Sequence, residues 1–150
     1  MPRRALVEIG ASLGVLQLTD TAGSAGAALM LDPVVVAPLH TWGEGRTHNR
    51  FEFLLGLDGL LYLKGEALGG LFAWGGFGTS FGAYDWAFRL RVAYGGGFLQ
   101  QDNGFIRSAA AIRGSIGLRL GRWISDVELR QTLAGRQTIS VVSIRLAYEL

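Results

Sequence analysis

Apolar residues alternate with small or charged residues along most of this chain, and this period of two constrains the fold more than any other feature. Over 86–94 every second residue is apolar, while Arg89 and Arg91 occupy the other face. The same alternation runs over 142–150, where Arg145 stands opposite the aliphatic residues. Successive side chains of a β-strand point to opposite faces, so this pattern predicts strands rather than helices.

Eight such runs follow one another, and segments rich in turn-forming residues separate them. Turns of this kind join neighbouring antiparallel strands. The pattern predicts one all-β domain over 1–150, an eight-stranded antiparallel meander whose strands are each about 11 to 15 residues long. The predicted turns are 19–26, 40–49, 64–66, 78–85, 100–104, 121–122 and 134–136.

Alternation alone is compatible with two kinds of closed β-barrel. A soluble, lipocalin-like barrel would enclose its apolar face and bind a small apolar or saccharide ligand, whereas a transmembrane β-barrel turns that face to lipid. Strands of this length favour the membrane, because a tilted spanning strand needs about 9 to 11 residues and a globular strand about 5 to 6. The face that carries the charged residues also favours the membrane location. The chain has 23 glycines, and the glycine and other small residues on this face leave space for long charged side chains in a narrow lumen.

Aromatic residues recur near the predicted strand ends, where the interfacial girdles of membrane barrels lie. Filling of a soluble core is the other reading of the same residues. The predicted membrane-interface aromatics are Trp42, Trp86, Tyr94, Trp123 and Tyr148.

Charged residues on the small-residue face form the main candidate site, a charge network inside the lumen. Buried charges must be paired, so such a lumen would be a structural plug, and a narrow, arginine-lined, anion-preferring pore is the alternative. The short turn at 134–136 predicts that Asp126 and Arg145 stand nearly opposite each other. The network comprises Glu8, Glu52, Asp58, Arg89, Arg91, Arg107, Arg113, Arg119, Asp126, Glu128, Arg130, Arg145 and Glu149.

Catalytic and metal-binding patterns are weak in this sequence. His40, Glu44 and His48 are spaced four apart, but Gly43 and Gly45 would break the helix that such a metal site needs. Neither histidine belongs to a His-x-Ser pair, and there is no Gly-x-Ser-x-Gly frame. We therefore expect no catalysis, metal or cofactor. Nucleic-acid binding is not expected either, because the arginines alternate with aliphatic residues and lack a stacking platform.

The ending over 142–150, with an aromatic residue two positions before the last, resembles the C-terminal strand of bacterial outer-membrane β-barrels. The eight-stranded meander is similar to the small OmpA-like and OmpX-like barrels. The resemblance implies a mature chain, without its signal peptide, in the outer membrane of a Gram-negative bacterium, surrounded by lipid bilayer or by detergent. We therefore expect a structural envelope protein, a narrow pore or a platform on which a protein partner would dock at 40–50 and 98–105.

Overall fold

The computed structural model describes residues 4–18, 25–63, 68–100 and 106–150. Its strands form one closed antiparallel barrel in which each strand pairs with its neighbours in sequence and the first strand pairs with the last. The predicted eight-stranded meander is confirmed. The strands are β1 (Leu6–Leu18), β2 (Ala25–Trp42), β3 (Asn49–Leu63), β4 (Leu68–Gly82), β5 (Trp86–Gln100), β6 (Ile106–Leu120), β7 (Trp123–Ala134) and β8 (Gln137–Glu149).

Two hairpin turns lie where the sequence predicts them, and each uses a glycine in the left-handed region. Gly121, between β6 and β7, has a φ of 60°, and Gly135, between β7 and β8, has a φ of 65°. A side chain at either position would be strained, because residues with a Cβ avoid this conformation. These turns bring consecutive strands into direct antiparallel pairing.

Two other turns are shorter than predicted, because the strands that precede them continue further. Strand β4 runs to Gly82, which leaves 83–85 rather than 78–85 as the turn. Strand β2 runs to Trp42, which leaves 43–48. The predicted turn at 64–66 and most of those at 19–26 and 100–104 lie outside the described residues, and Gln100 is the last residue of β5.

Strand β2 has 18 residues and is longer than the predicted range. Its pairing with β3 shifts between Pro38 and His40, so Leu39 is an extra residue in a β-bulge. The bulge and the three consecutive valines at 34–36 obscure the alternation in this part of the sequence. No helix in the described part of the chain is long and apolar enough to cross a membrane.

Large apolar side chains cover the outside of the barrel. Leu13, Leu71 and Ile144, on three different strands, are each more than 60% exposed. Charged side chains such as Glu8 and Arg89 are almost completely buried inside. The soluble, lipocalin-like alternative is wrong for the described residues, because it requires the opposite distribution.

The interior has two chemically different parts. We call the end of the barrel where β1 begins and β8 ends the terminal rim, and the other end the opposite rim. An apolar cluster fills the interior towards the opposite rim, so the expectation of a lumen lined by small and charged residues is wrong there. Its largest members are Met30, Leu60, Tyr62, Phe72, Leu99 and Ile139.

Inward-facing glycines allow close contacts that other residues would block. A Cβ on Gly97 would collide with the carbonyl oxygen of Leu71 on the neighbouring strand, and one on Gly117 would collide with the Asp126 carboxylate. By contrast, a Cβ on Gly59, on the outer face, would meet nothing within 4 Å. Much of the glycine content on the inner face therefore has a packing reason.

Candidate functional site

Buried acidic and basic side chains form a continuous group of ion pairs inside the barrel, which we call the lumen network. Among the described residues, six acidic side chains and six arginines are buried, so the formal charges cancel. A balanced set avoids the large free-energy cost of an unpaired charge inside a barrel. The twelve residues are Glu8, Asp32, Glu52, Asp58, Asp126, Glu128, Arg50, Arg89, Arg91, Arg113, Arg130 and Arg145.

Glu8 on β1 lies at the centre of the half of the network nearer the terminal rim. Arg91 donates to both of its carboxylate oxygens, with Nη1···Oε2 and Nη2···Oε1 distances of 2.8 and 2.7 Å. Arg89 Nη2 donates to Glu8 Oε1 at 2.9 Å, and Arg145 Nη1 to Oε2 at 3.4 Å. Arg91 Nε also donates to Glu52 Oε1 at 2.8 Å. Charge-assisted, two-point contacts of this kind are among the strongest hydrogen bonds in proteins.

Arg113 on β6 connects three carboxylates further along the lumen. Its Nη1 donates to Asp58 at 2.9 Å, and its Nη2 donates to Glu128 at 2.7 Å and to Asp32 at 3.1 Å. Its guanidinium carbon lies 4.1 Å from the centre of the Trp74 ring, a cation–π contact. The side chain is therefore held from several directions.

Arg130 on β7 forms the boundary between the ion pairs and the apolar cluster. Its Nη1 donates to Asp58 at 2.6 Å, and its Nε donates to the Thr132 hydroxyl at 3.3 Å. Its guanidinium carbon lies 4.3 Å from the centre of the Phe72 ring, which belongs to the apolar cluster. Arg130 thus joins the charged part of the interior to the apolar part.

The signs of the buried charges are divided between the two halves of the chain. Strands β1 to β3 supply four of the acids and one arginine, whereas β5 to β8 supply five arginines and two acids. Strand β4 supplies none of the buried charges. Most ion pairs therefore cross the lumen, and they connect the first half of the barrel to the second.

The space left inside the network is very small. A cavity of about 20 Å³ lies between Trp74, Arg91, Arg113 and Arg145. A volume of roughly 10 to 15 Å³ is enough for one water molecule, so this cavity is not a channel. Beyond it, the apolar cluster fills the lumen towards the opposite rim.

Ten of the thirteen residues predicted for the lumen network lie in it, and three do not. Arg107 is exposed at the opposite rim. Arg119 is half-buried near the terminal rim, where it donates to the carbonyl oxygens of Ala83, Tyr84 and Gly121. Glu149 lies at the edge of the network, 3.9 Å from Arg50. All three lie near strand ends, where inward-facing side chains reach a rim or a turn.

Asp126 and Arg145 are direct partners in the pairing of β7 with β8, as the short turn between these strands predicts. The Arg145 Nη1 atom donates to Asp126 Oδ2 at 3.2 Å. Arg145 also reaches Asp32 on β2, with an Nε···Oδ2 distance of 2.7 Å.

Sequence reasoning missed Asp32 and Arg50. Asp32 lies beside the three valines that obscure the alternation, although the apolar Leu29 and Leu31, which face outwards, continue the period of two and place Asp32 on the inner face. Arg50 was included in the predicted docking segment 40–50 and not in the network, but it is the second residue of β3 and pairs with Glu52 at 2.8 Å.

Four of the five predicted interface aromatics lie close to the terminal rim, at the strand ends that carry them. The Trp123 and Tyr148 rings meet edge to face at 5.1 Å, and Trp42 meets Phe81 in the same way at 6.1 Å. Trp86, at the start of β5, is half exposed. Tyr94 was wrongly placed near a strand end, because it lies in the middle of β5.

The turn over 43–48 packs against the turn over 83–85 and forms a structured ledge on the terminal rim. His48 N–H donates to the Gly82 carbonyl oxygen at 2.7 Å, and the His48 ring stacks on Tyr84 at 4.5 Å. Burial lowers the pKa of His48, and the positive charges of Arg50 and Arg119 lower this pKa further.

His40, Glu44 and His48, which are spaced four apart in the sequence, do not come together as a metal site on the ledge. His40 stacks on Trp42, whereas the Glu44 backbone bonds Thr47 within its own turn. Among the described residues no cluster of three or more potential metal ligands exists.

A closed eight-stranded barrel with an apolar exterior and an ion-paired interior has the fold of the small outer-membrane β-barrel proteins. The outer membrane enzyme PagL matches 94% of this chain and 98% of its own, with a TM-score of 0.68 and 14% identity. The N-terminal β-barrel domain of Pseudomonas aeruginosa OprF matches 95% of this chain and 97% of its own, with a TM-score of 0.51 and 10% identity. No protein-family model and no curated protein matches the sequence. The similarity is one of fold.

Proposed function

We propose that this protein is an integral outer-membrane barrel of a Gram-negative envelope whose role is structural, and that it neither conducts ions nor catalyses a reaction. The observation that carries this proposal is the inverted distribution of side chains. Aliphatic residues cover the outside, while twelve balanced charges lie inside. That arrangement suits a barrel surrounded by lipid, where an unpaired polar group on the outer face is costly.

Insertion is tested by refolding the chain into detergent or lipid vesicles and comparing boiled with unboiled samples on a semi-native gel. We expect a β-rich circular dichroism spectrum and a band that shifts on heating, because a closed barrel stays compact until it is heated. A protein that is folded and soluble without detergent would contradict the proposal.

A closed lumen fits the geometry better than an arginine-lined pore. The guanidinium groups of Arg89, Arg91 and Arg145 already contact carboxylates. The apolar cluster adds a second barrier, since a hydrophobic constriction resists hydration. Planar-bilayer recording of the inserted barrel should show no resolvable steps. Steady anion-selective steps would support the pore instead.

Absence of catalysis is a separate part of the proposal, and it is tested separately because PagL is an enzyme with the same fold. The rings of His40 and His48 are both stacked on aromatic residues near the terminal rim. Of the described serines, Ser12, Ser80 and Ser143 are buried in the lumen, whereas Ser108 and Ser125 are exposed. We expect the folded protein to leave envelope lipids unchanged. Turnover that His40→Ala or His48→Ala abolishes would contradict this expectation.

The second candidate function is that of an interaction platform. The ledge contains an open pocket of about 580 Å³, lined by Arg46, Asn49, Tyr84, Asp85 and Trp86 among others. Exposed charged and aromatic groups on rigid turns are suited to binding a protein partner. The described part of the second predicted docking segment, 98–100, belongs to β5, and the rest lies outside the described residues.

A photo-crosslinking residue at Arg46, introduced in cells, tests the platform, with Arg136 at the opposite rim as the matched control. We expect one discrete adduct at Arg46 that Asp85→Lys reduces. Identical adducts at both positions would contradict the platform.

A further inference from the structure

Tyr94 and Gln131 are long polar side chains within the apolar outer surface of the barrel. Tyr94 is 67% exposed, and its neighbours on the same face of β5 include Val92. Gln131 is exposed between Leu129 and Leu133 on β7. Among the described residues, neither side chain has a hydrogen-bonding partner. Polar groups without partners are costly in hydrocarbon, so these two residues need an explanation.

Strand pairing places both residues in one row across the barrel wall. Tyr94 on β5 pairs with Ile112 on β6, and Ile112 pairs with Gln131 on β7. Because all three side chains point outwards, the phenol and the amide lie on either side of one exposed aliphatic residue.

A depression lies beside this row. It has a volume of about 290 Å³, and its lining includes Val92, Ile112, Gly114, Leu129 and Gln131. A Cβ on Gly114 would meet nothing closer than an oxygen at 3.8 Å, so the packing of this chain does not require a glycine there. Liquid water occupies about 30 Å³ per molecule, so the depression has space for a side chain.

We propose that two copies of this chain associate in the membrane through the outer faces of β5, β6 and β7, about a twofold axis near Ile112. Tyr94 of each copy enters the depression over Gly114 of the other copy, and its hydroxyl donates to the Gln131 side-chain oxygen there. Because the projection and the depression lie side by side on one face, a single twofold contact uses both twice and closes the pair.

The chemistry favours a second copy over a lipid chain as the occupant. An acyl chain offers neither donor nor acceptor, so it would leave both Tyr94 and Gln131 without a partner. A second copy satisfies both, and the small residue at Gly114 allows the close approach that protein contacts within membranes use.

Single-cysteine crosslinking tests the pair, because the natural chain has no cysteine. Ile112→Cys lies near the axis, and Leu31→Cys, on β2 at the far side of the barrel, is the control with similar exposure. Both variants are inserted into phosphatidylcholine vesicles at low protein density and oxidised. We expect a disulfide-linked dimer at least about tenfold more abundant for Ile112→Cys than for Leu31→Cys.

Further variants test the details of the contact. Gly114→Leu fills the depression and should abolish the crosslink, whereas Gly59→Leu, at another outward glycine with free space, should not. Tyr94→Phe removes two symmetry-related hydrogen bonds and should lower the association constant about eightfold, the size of two average hydrogen bonds within a membrane, and adding Gln131→Leu should lower it little further. Equal crosslinking at positions 31 and 112, or crosslinking that Gly114→Leu leaves unchanged, overturns the proposal.

This inference rests on the membrane location proposed above, and the experiment separates the two. The heat-dependent gel shift is measured first on every variant. Failure to insert contradicts the proposed function. An inserted barrel that stays monomeric at every protein-to-lipid ratio overturns only the pairing of two copies, and lipid chains would then occupy the depression.

Discussion

Glu8 on β1 and Arg91 on β5 meet across the lumen in a two-point contact, with N···O distances of 2.7 and 2.8 Å. Eighty-three positions separate them in the sequence, and both are buried. Strands β1 and β5 are four strands apart in the closed order of eight, so the contact spans the barrel. It directly connects the acidic first half of the chain to the arginine-rich second half.

Removal of the charge of Glu8 should strongly destabilise the barrel. In Glu8→Gln, Arg89, Arg91 and Arg145 lose their common anionic partner while remaining buried. Loss of one partner from a buried pair costs about 3 to 5 kcal/mol in free energy of unfolding. Urea unfolding of the inserted protein, followed by the gel shift, measures the change. Glu149→Gln at the edge of the network is the control and should change the midpoint little.

Asp58 and Arg130 should be energetically coupled. Asp58→Asn leaves Arg130 buried without its carboxylate, whereas the double variant Asp58→Asn/Arg130→Met removes that unpaired charge. We expect the double variant to be more stable than Asp58→Asn alone, with an interaction energy of about 1 to 3 kcal/mol in a double-mutant cycle. Strictly additive effects would contradict the pairing seen at 2.6 Å.

Glycines on the two faces should respond oppositely to alanine. Gly97→Ala would push a Cβ against the Leu71 carbonyl oxygen, so we expect destabilisation and poor refolding. Gly59→Ala has open space around it and should be neutral or stabilising by up to about 1 kcal/mol, because alanine loses less backbone entropy on folding. Unfolding midpoints of the two variants check this contrast, and similar effects at both positions would argue against the assigned faces.

The lowered pKa of His48 should make the terminal rim sensitive to pH. A group whose pKa is lower in the folded state stabilises the fold above its unfolded pKa, about 6.5 for histidine, and this contribution is lost as pH falls through the folded pKa. The wild-type protein should therefore lose stability relative to His48→Gln on acidification from pH 7. Unfolding midpoints at a series of pH values measure this difference. Parallel pH profiles would show that the environment of His48 does not penalise protonation.

The number of strands and the assignment of most residues to a face could be predicted from the sequence, because alternation is a local property of each strand. Ten residues of the lumen network were identified for that reason alone. Asp32 was missed because the consecutive valines beside it obscure the period of two, and Arg50 was missed because the start of β3 resembles a turn.

What alternation cannot encode is the position of a residue along the barrel axis and its partners across the lumen. Those depend on the register of eight tilted strands, which only the closed barrel determines. Register places Arg107 at a rim rather than in the network, places Tyr94 in the middle of a strand, and separates an apolar layer around Phe72 from the ion pairs. It also brings Glu8 to Arg91, because a contact between strands on opposite sides exists only after the sheet has closed.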